Sequence, residues 1–84
     1  MGVNPGRLSP TQEAVCLLLA DGWRLYESRK SRRLWLGGKA GLRSPISQQT
    51  FGALRRRGLL RMDYSDPRKV RYALSEEGWK EAKK

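Results

Sequence analysis

Residues 44–60 read SPISQQTFGALRRRGLL, and this stretch predicts one short helix followed by an apolar pair. Ser47 is the expected N-cap, because its hydroxyl can accept hydrogen bonds from the free N–H groups of the first turn. Ser44, which precedes a proline, is an alternative start one turn earlier. Gly58 stands where helices often end in a left-handed residue. We therefore predict a helix over 47–57.

The two sides of this helix differ in chemistry. Ile46, Phe51 and Leu54 recur at helical spacing and predict a buried side, completed by Thr50 or Ala53. The opposite side carries amides, guanidiniums and one bare position, without an acid: Gln48, Gln49, Gly52, Arg55 and Arg56. Such groups suit base edges and phosphates in a nucleic-acid groove. The alternative is an ordinary amphipathic helix with a solvated basic face.

Capping residues and apolar spacing predict a helix near each end of the chain. Ser9 caps the first helix, and Ser75 caps a short last helix that we expect to dock through Trp79. The buried stripe of the first helix is expected to consist of Ala14, Val15, Leu18 and Leu19.

Two segments alternate between apolar and polar residues and predict β-hairpins at 23–36 and 59–74. Their core side is expected to hold Leu25, Leu34, Leu36, Leu60, Met62, Val70, Tyr72 and Leu74. Both turns are basic, with Arg29, Lys30, Arg32 and Arg33 in the first, and Arg68 and Lys69, with Arg71 behind them, in the second. Such turns suit a phosphate backbone, or they simply protect an edge strand.

The segment Gly37–Gly41 resembles a phosphate loop only at first sight. Ala40 stands where that loop requires Ser or Thr to hold magnesium. We therefore expect a flexible connector between the first hairpin and the central helix.

Charge is the strongest global feature, because 18 Lys and Arg face 8 Asp and Glu, a net charge of +10. The surplus is concentrated in 24–43 and 55–71, and such a field attracts polyanions. No apolar run of about 18 residues occurs, so we expect no membrane segment. The lone Cys16 fits a reducing cytoplasm. Gly2, Asn4, Pro5 and Gly6 predict a flexible arm over 1–7, and the length predicts one domain, over 8–84.

The residues for common catalytic chemistry are missing from the sequence. It contains no histidine and a single cysteine. A zinc site therefore lacks ligands, and neither a Ser–His nor a Cys–His pair can form. We expect no enzyme activity, no metal and no cofactor.

Two groups of residues carry a family resemblance: Ser47, Thr50, Leu54 and Gly58-Leu59-Leu60, then Tyr72, Leu74, Ser75 and Gly78. Their spacing is similar to that of winged helix-turn-helix domains, in MarR-like and related small bacterial or phage DNA-binding proteins. The resemblance implies an α+β winged-helix domain: an N-terminal helix, a basic β-hairpin, a recognition helix, a β-hairpin wing and a short C-terminal helix. It implies that Ser47, Gln48, Gln49, Gly52 and Arg55 lie at the groove, and that Arg68, Lys69 and Arg71 lie on the wing.

One element of that family has no counterpart in the sequence. Winged-helix domains place a further helix before the recognition helix, but no helical apolar stripe precedes Ser44. Either a turn near 42–46 takes the place of that helix, or the basic hairpin replaces it.

From these features we expect sequence-specific or architectural binding of double-stranded DNA, as in transcriptional regulation, by a cytoplasmic monomer or weak homodimer. One alternative is RNA binding, with Trp23, Tyr26 and Trp35 stacking on unpaired bases. Another is a protein-interaction module for an acidic partner, including an inhibitor of a nucleic-acid enzyme. In size and order of elements the chain is also similar to a small bacterial family of topoisomerase-inhibiting toxins.

Overall fold

The computed structural model describes residues 8–83. Their elements are α1 (Pro10–Ala20), β1 (Arg24–Ser28), β2 (Leu34–Gly37), a 3-10 turn (Lys39–Gly41), β3 (Arg43–Pro45), α2 (Gln48–Arg56), β4 (Leu60–Ser65), β5 (Lys69–Leu74) and α3 (Glu76–Ala82). The expected arm over 1–7 lies outside the described residues. The expected α+β class is confirmed.

Both predicted hairpins belong to one antiparallel sheet with strand order β3-β2-β1-β5-β4. β1 joins them, because it pairs with β2 on one side and with β5 on the other. The register places Leu25 of β1 opposite both Leu36 and Tyr72, so inward side chains of three strands form one row. The helices pack on this inward side of the sheet.

The hydrophobic core lies between the inward side of the sheet and the helices. Leu25 of β1, Leu19 of α1 and Leu54 of α2 are almost completely buried. The ring of Phe51 meets Tyr72 edge to face, with 5.1 Å between ring centroids. Each such apolar side chain contributes about 1.5–3 kcal/mol on burial. The inward positions predicted for Leu34, Leu36, Val70 and Leu74 are confirmed.

β4 departs from its predicted pattern. Met62 is 56% exposed, whereas Leu59, just before the strand, is 3% exposed and belongs to the core. Met62 lies opposite Tyr72, on the predicted core-facing side, but it stays outside the core because β4 is an edge strand. A register shift between Met62 and Tyr64 adds to this, because a bulge bends the strand locally.

The expected connector after β2 is largely ordered structure. Its first part forms the 3-10 turn, and Arg43–Pro45 then forms β3, with Ser44 opposite Leu36 and Pro45 opposite Trp35. The residue before a proline favours an extended backbone, and proline is tolerated on an edge strand. Ser44 therefore lies in a strand and does not start α2. In the described stretch from Gly38 to Ser47 the structure contains no α-helix.

The helix caps agree with prediction, but two packing details do not. Cys16 rather than Ala14 joins the buried stripe of α1, since Ala14 is exposed. Trp79 keeps 41% of its surface exposed, and Gly78 is the buried residue of α3. Gly78 lets α3 approach the backbone of Leu59 closely. Within the described part of the chain, every helix is too short or too polar to cross a membrane.

Candidate nucleic-acid interface

The start of α2 is fixed by Ser47, as predicted. Its hydroxyl oxygen accepts a hydrogen bond from the Thr50 backbone N–H at 3.1 Å, and its O–H donates to Thr50 Oγ1 at 2.9 Å. Gly58 adopts a φ of 71° after the helix, which is the left-handed conformation expected there. Ser47 thus holds the helix start, and the exposed side of α2 is presented by Gln49 and Arg56 together with Arg55.

Arg55 lies on an aromatic support. Its guanidinium carbon is 5.6 Å from the ring centroid of Phe51 and 5.7 Å from that of Tyr72. Burial raises the pKa of Tyr72. Both rings contact the guanidinium of an exposed residue, and a guanidinium suits forked contacts with a base or a phosphate.

The two basic hairpin turns lie side by side at one end of the sheet. The backbone N–H of Arg29 donates to the carbonyl oxygen of Arg68 at 2.9 Å. The Arg29 side chain also donates from Nε to the carbonyl oxygen of Asp66 at 2.8 Å. These contacts follow from the pairing of Ser28 with Lys69, which brings both turns to the same edge. The first turn therefore contacts the second through Arg29, next to Arg68.

Asp66 organises the backbone of the second turn. Its Oδ1 accepts hydrogen bonds from the backbone N–H groups of Arg68 at 2.7 Å and Lys69 at 2.9 Å. The Lys69 and Arg68 N–H groups lower the pKa of Asp66, and the hydroxyl of Tyr64 adds to this effect. The carboxylate is thus ionised at pH 7 and committed to the turn.

A side-chain contact ties α2 to the first turn. Gln48 Nε2 donates to the carbonyl oxygen of Arg32 at 2.7 Å, and Arg32 has a φ of 61°. A cleft of about 520 Å³ lies along this junction, and the acidic residue that lines it is Glu27. We call the combined region the tip surface, and its members are Arg29, Lys30, Arg32, Arg33, Gln48, Gln49, Gly52, Arg55, Arg56 and Arg68.

Two predicted site residues lie elsewhere, on the sheet face that points away from the helices. The Lys69 ammonium is 5.3 Å from the ring centroid of Tyr26. Arg71 Nε lies 2.8 Å from Asp63 Oδ1, and this contact raises the pKa of the guanidinium. Arg24 also approaches Asp63, at 3.4 Å. The structure therefore does not bring Arg71 to the tip surface.

Sequence reasoning named Tyr26 and Trp35 of this second face as possible stacking residues, but it did not anticipate the other members of the face. Tyr26 and Trp35 stack on it with ring centroids 5.5 Å apart and planes at 12°. Strand alternation places four further residues on that face: Arg43, Tyr64, Lys69 and Arg71. Alternation around Leu25 and Leu34 gave a signal for the two stacked rings. Arg43 gave none, because β3 was not predicted.

No protein-family model, curated protein or solved structure shows significant similarity to this chain.

Proposed function

We propose that this chain is a duplex-DNA-binding domain of the winged-helix type and that the tip surface is its contact with DNA. The observation that carries the proposal is the set of hydrogen bonds joining α2 and both basic turns. Gln48 holds the helix to one turn, and Arg29 holds that turn to the other. Three cationic segments that are distant in sequence thereby act as one surface.

The topology supports the winged-helix assignment. β1, which lies between α1 and α2, pairs with β5 of the hairpin that follows α2. In this proposal α2 is the recognition helix and β4–β5 is the wing. Hairpin β1–β2 together with β3 occupies the place of the missing second helix.

The exposed side of α2 would read bases, and the turns would hold the backbone. Gln49 and Arg55 carry the donors and acceptors that read base edges in the major groove. Gln48 uses one N–H of its side-chain amide on Arg32, and its amide oxygen suits a donor such as a base amino group. Arg29 and Arg68 suit phosphates, since both belong to the joined turns.

Charge sets the expected strength and salt dependence of binding. The tip surface carries arginines and one lysine beside Glu27, whose Oε1 accepts from the Tyr72 hydroxyl at 3.3 Å. If it neutralises about five phosphates, affinity should fall roughly 500-fold between 50 and 200 mM salt. Arg55→Ala should cost about 1–3 kcal/mol on a specific site if Arg55 forks onto guanine.

Fluorescence anisotropy with a labelled random duplex of about 20 base pairs tests the proposal. The double variant Arg29→Gln/Arg68→Gln should weaken binding and flatten the slope of log K against log salt by about two units. Lys80→Gln/Lys83→Gln removes the same charge from α3 and should leave both quantities close to wild type.

Two results would overturn the proposal. One is no duplex binding at 50 mM salt. The other is an equal loss of affinity in the two double variants, since binding would then depend on net charge and not on the tip surface. Repeating the titration with Arg55→Ala then separates the contribution of α2 to duplex affinity from that of the turns.

A further inference from the structure

Among residues 8–83 the helices pack on one face of the sheet, and Tyr26 and Trp35 lie half-buried on the other face. Buried side chains of α1 and α2 join the core with Leu25, Leu36 and Tyr72, which all point to the same face. α3 packs against the same layer through Gly78. The side chains that alternate with this set point away from the helices, and we call their surface the open face.

Register aligns a continuous row of side chains across the open face. Pro45 lies opposite Trp35, Trp35 opposite Tyr26, Tyr26 opposite Arg71, and Arg71 opposite Tyr64. One residue from each of the five strands contributes. Neighbouring strands are about 4.8 Å apart, so the row is about 19 Å long. Such a length accommodates two or three stacked bases.

A basic group lies over each aromatic ring of the row. Guanidinium carbons of Arg43 and Arg71 are 5.6 Å from the Trp35 centroid and 5.3 Å from the Tyr64 centroid. The Lys69 ammonium is over Tyr26. Asp63 is the acid of this face, and Arg71 and Arg24 already pair with it. Arg43 and Lys69 therefore remain as unneutralised charges at the two ends of the stacked pair.

This arrangement favours a strand with unpaired bases over a duplex. Bases in a duplex stack on each other, whereas unpaired bases offer their faces to aromatic side chains. Stacking of a base on an aromatic ring is generally stronger than an exposed cation–aromatic contact. A base can thus replace Arg43 over Trp35 or Lys69 over Tyr26. The displaced cation then stands beside the phosphates of the same strand.

We propose that the open face binds single-stranded nucleic acid, with unpaired bases stacked at Trp35 and Tyr26 and phosphates held by Arg43 and Lys69. This site is separate from the tip surface and does not depend on duplex binding there. Its recognition is tolerant of sequence, because every base has a π face.

Anisotropy with a labelled thymidine octanucleotide and a uridine octanucleotide at 50 mM salt tests this proposal. Trp35→Leu and Tyr26→Leu should each weaken binding about 10- to 100-fold. Trp79→Leu is the matched control, because Trp79 is exposed beneath Lys83 at 6.0 Å but lies on α3. It should bind as wild type does. Tighter binding of the uridine or the thymidine strand identifies RNA or DNA as the preferred partner.

The double variant Arg43→Gln/Lys69→Gln controls for misfolding of the ring variants, because it leaves both rings in place. It should fold and lose affinity for both octanucleotides. In a two-dimensional NMR titration of the wild type, the indole N–H signal of Trp35 should move while that of Trp79 stays. These two measurements test binding at the open face even if Trp35→Leu or Tyr26→Leu is unfolded.

Three outcomes would overturn the proposal. They are no octanucleotide binding at 50 mM salt, unchanged affinity in a folded Arg43→Gln/Lys69→Gln variant, and an indole signal of Trp35 that does not move. A loss of octanucleotide binding in Arg29→Gln/Arg68→Gln with normal binding in the ring variants would place the strand on the tip surface instead. Because duplex binding is titrated separately, it can fail while the open face still binds single strands.

Discussion

Gln48 donates its side-chain N–H to the carbonyl oxygen of Arg32 at 2.7 Å, so the helix α2 and the first basic turn are held together. We predict that Gln48→Ala lowers the free energy of unfolding by about 0.5–1 kcal/mol, the net value of one such bond. Amide hydrogen exchange in the turn 29–33 should quicken. Gln49→Ala is the control, because Gln49 is exposed on the same helix. Equal effects of the two variants would show that the contact contributes nothing.

Arg32 combines a useful charge with an unfavourable backbone conformation. Its φ of 61° is left-handed, which costs a non-glycine residue about 1 kcal/mol. Arg32→Gly should therefore leave stability unchanged or raise it by up to about 1 kcal/mol, since part of the gain is lost to the freer unfolded chain. Duplex affinity should nevertheless fall, because one cation leaves the tip surface.

Arg33→Gly provides the comparison for that experiment. It removes the same charge from the same turn, but positive φ values among the described non-glycine residues do not include Arg33. It should lower both stability and affinity. Urea unfolding and anisotropy on both variants check this, and a parallel change in stability would contradict the role of backbone strain.

The ion pair between Arg71 and Asp63 should stabilise the edge of the sheet, with Nε and Oδ1 2.8 Å apart. The Asp63 side chain is 13% exposed and that of Arg71 37% exposed, so solvent screens the pair in part. We expect a coupling energy of about 1 kcal/mol from the double-mutant cycle of Arg71→Ala and Asp63→Ala. The coupling should shrink in 1 M salt. A coupling of zero at low salt would exclude a stabilising pair.

Local signals in the sequence were enough to predict the helices. Ser9, Ser47 and Ser75 each accept a hydrogen bond from the backbone N–H three residues later, as their positions indicated. The strand β3 had weak local signals, because its partner β2 determines it. The pairing of Leu25 with Tyr72 and the register shift beside Asp63 depend on distant residues. The sequence therefore indicated the basic turns and the rings of Tyr26 and Trp35, but not the place of Arg43 on the open face or the pairing of Arg71 with Asp63.

Cys16 should make stability depend on alkaline pH. The thiol is 1% exposed, and burial, with the nearby charges of Glu81 and Glu13, raises its pKa from 9.0 to about 11. Between these values the unfolded thiol has lost its proton while the folded thiol keeps it. The contribution of the Cys16 thiol to the free energy of unfolding is complete below pH 9. It is lost as pH rises toward 11, by up to about 2 kcal/mol.

Urea unfolding of wild type and Cys16→Ala at several pH values isolates this effect. The difference in unfolding free energy between the two proteins should be constant below pH 9 and should then change in favour of Cys16→Ala. A constant difference up to pH 11 would contradict the raised pKa.

Gly78 and Gly52 should respond in opposite ways to the same substitution, although both lie inside helices. Glycine to alanine at an open helical position usually stabilises by about 1 kcal/mol. At Gly52 an added Cβ would meet only the flexible Arg56 side chain, at 3.3 Å, so Gly52→Ala should stabilise. At Gly78 it would collide with the carbonyl oxygen of Leu59 and with Leu74 Cδ2. The Leu59 carbonyl also accepts from Ser75 N–H at 2.9 Å, so it cannot move away freely.

Gly78→Ala should therefore destabilise by about 2 kcal/mol or more, in the range of overpacked cores. Thermal unfolding of both variants gives the answer directly: the melting temperature should rise for Gly52→Ala and fall for Gly78→Ala. Stabilisation by both substitutions would mean that α3 does not pack closely on Leu59. Since α3 follows β5 through its Ser75 cap, a wild-type melting temperature in Gly78→Ala would also require a different position for that helix.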